Sequence, residues 1–291
     1  MKILITGGTG QLGRDCEKVL AKDQNVTAVG SSALDVSDRK AVDAFIGNLK
    51  PDVVLNCAAF TRVDDCETQK EPAWKINVVG PKNLATAARA SGSRLVHIST
   101  DYVFDGRKPI PEYYTESDRP HPTSYYGFSK LEGEKAVALA TDRYTILRTA
   151  WLYGAFGRNF LKTMLKLAVG DPQREIKVVH DQFGSPTWSY MLAVQIKRVI
   201  LADVSGLFHA TSEGYCTWYD LAKTFLHEME VPAAVVPCTT RDYPTPAKRP
   251  ANSILENRRL KDEGLNIMQD WRVDLIQFVR RFKDHLLGEV K

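Results

Sequence analysis

The 291-residue sequence lacks any apolar run long enough to cross a membrane, since a span needs about 18 consecutive apolar residues. Its first apolar run, Ile3 to Ile5, is too short for a signal peptide and predicts a first strand. The five cysteines are odd in number and never spaced Cys-x-x-Cys, which argues against a disulfide framework and against a zinc site. We therefore expect a cytoplasmic protein with no membrane partner and no metal.

The sequence also lacks a large excess of either sign of charge. The sequence has 39 basic and 35 acidic side chains, a net charge of +4, with both signs interspersed. A nucleic-acid interface or a polybasic membrane patch needs a block of like charges, so neither partner is expected. The sequence does have the composition of a folded domain, with 44% hydrophobic and 25% charged residues.

The first half of the chain alternates short β-branched runs with segments of helical period, which predicts a parallel sheet covered by helices on both faces. The fold class expected is α/β, a Rossmann-like doubly wound parallel sheet with a smaller carboxyl-terminal α/β region. The pattern loosens after residue 150, so we assign residues 1–150 to a first domain, to which about 176–205 return, and 151–291 mainly to a second region. The strands predicted for the first domain are 2–6, 26–30, 53–56, 95–99 and 144–148.

A glycine-rich segment directly follows the first predicted strand. Gly7, Gly10 and Gly13 have the spacing Gly-x-x-Gly-x-x-Gly and lead into a helix. Glycines at such a turn let backbone N–H groups and a helix amino terminus approach a pyrophosphate. A plain strand-to-helix turn can have the same spacing, but its position right after the first strand favours dinucleotide binding.

The end of the second predicted strand bears on which dinucleotide binds. An acidic residue at that point binds the ribose hydroxyls of NAD, but here the sequence reads Gly30-Ser31-Ser32. The two hydroxyls, with Arg14 just after the glycines, can accept a 2′-phosphate instead. This favours NADPH, and Asp35 a few positions on keeps NADH open.

A second motif, Tyr126-Gly127-Phe128-Ser129-Lys130, opens the helix predicted from Ser124 to about residue 139. Residues at i and i+4 share one helical face, so the phenol and the ammonium can point into one pocket. A neighbouring ammonium favours the phenolate and so lowers the pKa of tyrosine towards the working range of an acid catalyst. Alone, the spacing also fits an exposed pair without function.

The fourth predicted strand ends at Ser99-Thr100, where ligands bind in open α/β sheets. A hydroxyl at this strand end, a Tyr-x-x-x-Lys helix and a glycine-rich turn together describe a carbonyl reductase. In such an enzyme the cofactor supplies hydride on one side of the carbonyl, and a phenol supplies a proton on the other.

At these residues the chain resembles the extended short-chain dehydrogenase/reductase superfamily and, within it, the family of dTDP-4-dehydrorhamnose reductases. The glycine and Tyr-x-x-x-Lys motifs mark only the superfamily. More specific are the segments 56–64, 99–104, 147–154, 181–187 and 249–253. The resemblance covers nearly the whole chain. It implies that NAD(P)H reduces the C4 keto group of a dTDP-4-keto-6-deoxy sugar, converting dTDP-4-dehydrorhamnose to dTDP-L-rhamnose.

The resemblance also implies site residues. Tyr126 would be the proton donor, Lys130 would lower its pKa and hold the ribose, and Thr100 would bind the sugar oxygen. The substrate-binding residues implied are Thr100, Asp101, Tyr102, Trp151 and Arg249. The cofactor-binding residues implied are Gly7, Gly10, Gln11, Leu12, Gly13, Asp35, Val36, Ala58, Ala59, Phe60, Thr61, Asn77, Ser99, Tyr126 and Lys130. On residues alone, Trp151 also fits a core aromatic and Arg249 a solvated loop charge.

Three other functions stay open at this point. A related deoxysugar reductase would share every catalytic residue, and a sugar-nucleotide epimerase of the same superfamily would retain its nicotinamide through turnover. A non-catalytic regulatory subunit that binds a dinucleotide, like the methionine adenosyltransferase beta subunit, also resembles this family. The sequence leaves both a monomer and a homodimer open.

Overall fold

The structure, a computed structural model, describes residues 1–290 as alternating strands and helices. The strands are β1 (Lys2–Thr6), β2 (Asn25–Val29), β3 (Val53–Asn56), β4 (Arg94–Thr100), β5 (Tyr144–Thr149), β6 (Leu152–Tyr153), β7 (Glu175–Val179), β8 (Phe183–Gly184), β9 (Thr187–Trp188), β10 (Gly206–His209), β11 (Cys216–Thr217), β12 (Ala234–Cys238) and β13 (Asn252–Ser253). The α-helices are α1 (Gln11–Leu20), α2 (Arg39–Leu49), α3 (Asp65–Thr68), α4 (Lys70–Trp74), α5 (Gly80–Ser91), α6 (Tyr125–Ala140), α7 (Phe160–Gly170), α8 (Ser189–Ala202), α9 (Trp218–Glu228), α10 (Arg258–Asp262) and α11 (Trp271–Val290).

A six-stranded parallel sheet forms the centre of the larger part of the molecule. Its strand order is β10-β5-β4-β3-β1-β2. From β1 the chain runs outward to β2, and it then crosses back over β1 to form β3 on the other side. The winding direction therefore changes between β1 and β3. Ligands of open α/β sheets bind beyond the carboxyl ends of the strands at such a switch point. The predicted doubly wound α/β fold is confirmed.

Both faces of this sheet are covered by helices, as parallel strands require. Ile3 and Ile5 of β1 pack in one cluster with α1 and α8. Leu4, which points to the opposite face, packs in another cluster with α2, α5 and α6. The alternation along β1 therefore decides which helix layer each side chain meets.

The five strands predicted for residues 1–150 are observed within one residue at each end. The segment 176–205, which was expected to return to the first domain, begins in β7, but this strand does not join the central sheet. It pairs with β12 outside the central sheet. The return is made instead by α8, which packs on α1, and by β10, which pairs with β5 at the sheet edge.

The rest of the carboxyl-terminal half is built from short strands and four helices, α7, α9, α10 and α11. The two small pairs are β7 with β12 and β6 with β9, and a three-stranded sheet has the order β11-β8-β13. Helices α7, α9 and α11 share a core that includes Leu165, Phe225, Trp271 and Phe278. Among residues 1–290, no helix combines the length and the hydropathy that a membrane crossing demands.

Candidate active site

A cleft of about 630 Å³ lies at the carboxyl ends of β1, β3, β4 and β5. Most of the predicted site residues line it. They are Gly7, Gly10, Gln11, Leu12, Gly13, Ala59, Thr61, Ser99, Thr100, Asp101, Tyr102, Tyr126, Lys130, Trp151 and Arg249. The sheet topology therefore brings together segments that are far apart in the chain, at the place that its switch point predicts.

Five predicted cofactor residues lie outside the lining of this cleft: Asp35, Val36, Ala58, Phe60 and Asn77. Asp35 is exposed and accepts hydrogen bonds from the backbone N–H and the hydroxyl of Ser37, while Val36 is buried. Asn77 is fully buried and hydrogen-bonds the backbone N–H and carbonyl of Phe60 at 2.8 and 3.1 Å. Asn77 thus holds the loop after β3 in place.

The glycine-rich turn fits a dinucleotide because its backbone is packed too closely for side chains. Gly7 has φ +68°, and a Cβ there would lie 2.6 Å from the Ala58 nitrogen. A Cβ on Gly13 would lie 2.2 Å from the Gly7 carbonyl oxygen. Helix α1 then begins without an acidic residue in its first turn. Its amino-terminal N–H groups therefore face the cleft with no competing carboxylate, which suits a pyrophosphate.

Helix α6 carries Tyr126 and Lys130 into the cleft. Ser124 caps the helix by accepting a hydrogen bond from the Gly127 N–H at 3.2 Å. A Cβ on Gly127 would lie only 2.0 Å from the Tyr102 carbonyl oxygen. Glycine at this position therefore lets α6 pack directly on the turn that follows β4. This contact places Tyr126 beside Tyr102, with their rings edge to face at 5.5 Å.

The pKa of Tyr126 differs from the sequence expectation, which was that the ammonium of Lys130 lowers it. Burial raises the pKa of the Tyr126 phenol above its usual 10, although a hydrogen bond with Thr100 opposes this. Burial lowers the pKa of the Lys130 ammonium to about 8, against the opposing charge of Glu134. The Lys130 Nζ donates to the Ile98 carbonyl at 2.7 Å. In the protein without cofactor, burial therefore keeps the pKa of Tyr126 above its usual value, and the phenol keeps its proton.

The hydroxyls at the end of β4 have different partners. Ser99 donates to Glu134 at 2.5 Å, and Glu134 is held by a bidentate buried ion pair with Arg148 at 2.8 and 2.7 Å. Thr100 donates to Asp101 at 2.9 Å. Ser99 thus supports the strand end, while Thr100 bonds its neighbour Asp101 within the cleft.

Asp101 is 2% exposed, and burial raises its pKa to about 6. Its Oδ2 has no hydrogen-bond partner among residues 1–290. A buried polar atom without a partner is costly unless a ligand satisfies it. Asp101 is therefore suited to bind a hydroxyl group in the cleft.

Trp151 lines the cleft, and its half-buried side chain also packs against the core of the carboxyl-terminal half. Its backbone has φ +47°, and its ring stacks on Trp218 with 3.5 Å between centroids. A Cβ on Gly184 would overlap the Trp151 ring at 2.3 Å. The glycine in the segment 181–187 therefore makes room for this tryptophan.

The segment 249–253, in the carboxyl-terminal half, contacts loops that border the cleft. Arg249 forms an ion pair with Asp64 in the loop after β3, at 2.6 Å. Asn252 donates to the carbonyls of Lys108 and Glu112, and Ser253 donates to the Phe183 carbonyl at 3.4 Å. One short segment thus contacts two of the loops that form the cleft.

Sequence reasoning missed several residues that line the cleft. They are Cys57, Val63, Ile98, Thr149, Ala150, Leu152, Arg158, Asn159, Phe160 and Trp218. Asn159 caps α7 and donates to the Gln11 side chain at 2.9 Å, a contact between residues 148 positions apart. A polar residue before a helix predicts a cap, but nothing local predicts that it meets the glycine-rich turn.

The fold and the site define the class of the protein: an extended short-chain dehydrogenase/reductase. A family model described as the RmlD substrate binding domain matches residues 1–284. A dTDP-4-dehydrorhamnose reductase of Burkholderia thailandensis is 39% identical over 289 residues, which covers 94% of this chain and 96% of the relative.

Solved structures of dTDP-4-dehydrorhamnose reductases are also similar to this chain. A dTDP-4-dehydrorhamnose reductase of Clostridium acetobutylicum is 46% identical, with a TM-score of 0.94 over 97% of this chain and 100% of that one. A Bacillus anthracis dTDP-4-dehydrorhamnose reductase in complex with NADP is 36% identical, with a TM-score of 0.93 over 96% and 99%. The chain therefore belongs to the RmlD family of dTDP-4-dehydrorhamnose reductases, which are NADP-dependent oxidoreductases.

Proposed function

We propose that this chain reduces the C4 keto group of dTDP-4-dehydrorhamnose to give dTDP-L-rhamnose, with hydride from NADPH. The observation that carries the proposal is the convergence of Thr100, Tyr126 and Lys130 on the cleft that the glycine-rich turn also lines. Family membership supports the substrate class, because the relatives compared above bear this activity in their names.

The residues of the cleft fit the cofactor. The close-packed glycine turn and the amino terminus of α1 suit its pyrophosphate, and Lys130, which lines the same cleft, would hold the nicotinamide ribose. When bound, NADPH supplies a hydride. We favour it over NADH because Ser31 and Ser32, at the end of β2, and Arg14 are exposed and suit a 2′-phosphate.

The sugar nucleotide has room in two connected clefts. The inner cleft, described above, contains Tyr126. An outer cleft of about 700 Å³ is lined by α7, β7 and the loop after β12. Tyr102, Phe160, Trp218 and Arg249 line both clefts, and we call their junction the neck. In our proposal the 4-keto sugar lies in the inner cleft, between Asp101 and Trp151, and the nucleotide in the outer one.

The proton in this reaction comes from Tyr126. Its buried phenol is protonated at neutral pH, so it can donate to the alkoxide that forms at C4. Thr100 hydrogen-bonds the same sugar oxygen. The Lys130 ammonium, one helical turn from Tyr126, stabilises the phenolate that remains.

The proposal also assigns a role to each part of the chain. Residues 1–150 with α8 and β10 bind the cofactor, and most of the remaining chain binds the sugar nucleotide.

The proposal further includes the location and the oligomeric state of the enzyme, which we place in the cytoplasm as a homodimer. Trp74, Tyr125 and Phe128 form an aromatic cluster on α4 and α6, with Phe128 41% exposed, which supports a subunit contact. Light scattering should give twice 32.6 kDa, and a monomer mass would refute the dimer.

The experiment that tests the function supplies dTDP-4-keto-6-deoxyglucose with NADPH or NADH, with and without a 3,5-epimerase. We expect NADPH to be consumed, and dTDP-rhamnose to form, only when the epimerase is present. Consumption without the epimerase would indicate a related deoxysugar reductase. Tightly retained nicotinamide without net oxidation would indicate an epimerase. Dinucleotide binding without consumption under either condition would favour the regulatory subunit.

A further inference from the structure

Arg249 is the one arginine that lines the neck, within the described residues 1–290, and its guanidinium makes three hydrogen bonds. It pairs with Asp64, which lies 185 positions earlier in the loop after β3. Nη1 donates to Asp64 Oδ1 at 2.6 Å, and Nη2 donates to Asp64 Oδ2 at 2.8 Å. Asp64 Oδ1 also accepts from the Ala247 N–H at 3.1 Å, which ties the pair to the backbone of the Arg249 loop.

The remaining donors of Arg249 can be counted. A guanidinium has five N–H groups. Two are used by Asp64, and a third, on Nη1, donates to the Ala247 carbonyl at 2.7 Å. Among residues 1–290, no acceptor bonds Nε or the second N–H of Nη2. These two donors lie side by side on one edge of the planar group, the arrangement that binds two oxygens of a phosphate.

The carboxylate of Asp64 lies on the adjoining edge of the guanidinium. The Arg249 hydrogen bonds lower the pKa of Asp64 below its usual 3.8, so it is charged at neutral pH and the pair persists. A phosphate on the Nε edge would therefore meet an arginine whose position is already fixed. Fixing the side chain before binding reduces the entropy that binding would otherwise cost.

We propose that Asp64 is a positioning residue that orients Arg249, so that its Nε and Nη2 donors bind the diphosphate of the sugar nucleotide at the neck. This inference rests on the proposed function, since it requires a nucleoside diphosphate that reaches across both clefts. It assigns a role to the Asp64 position in the segment 56–64.

The test measures equilibrium binding of dTDP, UDP and NADPH to the full chain. The variants are Asp64→Asn, Arg249→Lys and the double variant. Asp65→Asn is the matched control, because Asp65 pairs with Arg62 at the surface, where both side chains are more than 40% exposed. We expect Asp64→Asn to weaken dTDP binding about tenfold, in line with the loss of an oriented charged hydrogen bond. NADPH affinity should stay within about twofold, and Asp65→Asn should match the wild type.

Two further results distinguish positioning from simple structural support. In the Arg249→Lys background, Asp64→Asn should weaken dTDP binding no further, because the oriented donors are already lost. An additional loss in that background, an equal loss of NADPH affinity, or unchanged dTDP affinity in Asp64→Asn would each overturn the inference.

The same data separate this inference from the proposed function. If the wild type binds UDP but not dTDP, the proposed substrate is wrong, and the Asp64 comparison is decided on UDP. If dTDP binds the wild type and Asp64→Asn alike, only the role of Asp64 fails. If neither nucleotide binds, both proposals fail.

Discussion

Tyr126 is the residue on which the proposed chemistry depends, since its buried phenol holds the transferable proton. We expect Tyr126→Phe to lower kcat by about 10² to 10⁴, the usual contribution of a general acid, while NADPH still binds. Tyr125→Phe is the matched control, because Tyr125 is adjacent on α6 but does not line the inner cleft. Stopped-flow turnover and a fluorescence titration of NADPH measure the two effects. Near-normal kcat in Tyr126→Phe would contradict the mechanism.

Lys130 predicts a pH dependence with a definite direction. Burial lowers its pKa to about 8 in the protein without cofactor, so the ammonium is lost as the pH rises through that value. The ratio kcat/KM for NADPH reports groups of the free enzyme, and we expect it to fall above about pH 8. Lys130→Arg keeps its charge to above pH 12 and should remove this fall, at a lower overall rate. A flat profile up to pH 10 in the wild type would exclude the role of the ammonium.

The Tyr126 and Lys130 pair illustrates what can be predicted at the residue scale. Their i, i+4 spacing is local, so the sequence is sufficient to place both in one pocket. Their protonation is not local. Lys130 bonds the Ile98 carbonyl on another element, and burial by the whole cleft raises the pKa of Tyr126. The predicted lowering of the phenol pKa was therefore wrong for the protein alone.

At the scale of elements, the close contact between β1 and α1 controls the cofactor cleft. A Cβ on Gly13 would meet the Gly7 carbonyl oxygen at 2.2 Å and the Gly8 Cα at 2.8 Å, which are backbone atoms that cannot rotate away. We expect Gly13→Ala to displace α1, to destabilise the protein by about 1–3 kcal/mol and to weaken NADPH binding at least tenfold. Thermal unfolding and a binding titration measure both.

Gly47 supplies the control for this substitution. It lies in α2, and a Cβ there would have no atom within 4 Å. Gly47→Ala should stabilise the protein by about 0.5–1 kcal/mol and leave NADPH binding unchanged. If Gly13→Ala behaved like Gly47→Ala, the close packing of the glycine turn would not be what admits the cofactor.

Elements with a clear apolar period were predicted, and those without one were missed. The strands of the central sheet are nearly continuous apolar runs, which is why their limits were found within one residue. The helices between residues 65 and 91 were not predicted. Pro81 reads as a helix breaker, but a π-helical turn over Lys75–Val79 leads directly into α5 and precedes the proline.

At the scale of the whole molecule, the two halves are joined by several contacts. Helix α8 returns to pack on α1, where Ser189 donates to Asp15 at 2.5 Å. Strand β10 completes the central sheet, and Arg249 pairs with Asp64. Such contacts link residues 174 and 185 positions apart, so no local pattern predicts them. The position of the domain boundary stays a prediction for the same reason.

These contacts predict that the chain unfolds as one cooperative unit. Four of the five tryptophans lie after residue 150, so their fluorescence mainly reports the carboxyl-terminal half. Far-ultraviolet circular dichroism reports helices and strands of both halves. We expect the two signals to give coincident urea transitions. Transitions at clearly different urea concentrations would show instead that the halves unfold independently.

Transfer of a labelled hydride tests the central claim most directly. The enzyme is supplied with the epimerised dTDP-4-keto-6-deoxy sugar and with NADPH that carries deuterium at the transferable nicotinamide position, and the product is read by mass spectrometry and NMR. We predict one deuterium per product sugar, located at C4, with an equal amount of NADP⁺ formed. A product without deuterium, or with deuterium at another carbon, would contradict reduction at C4 by this chain.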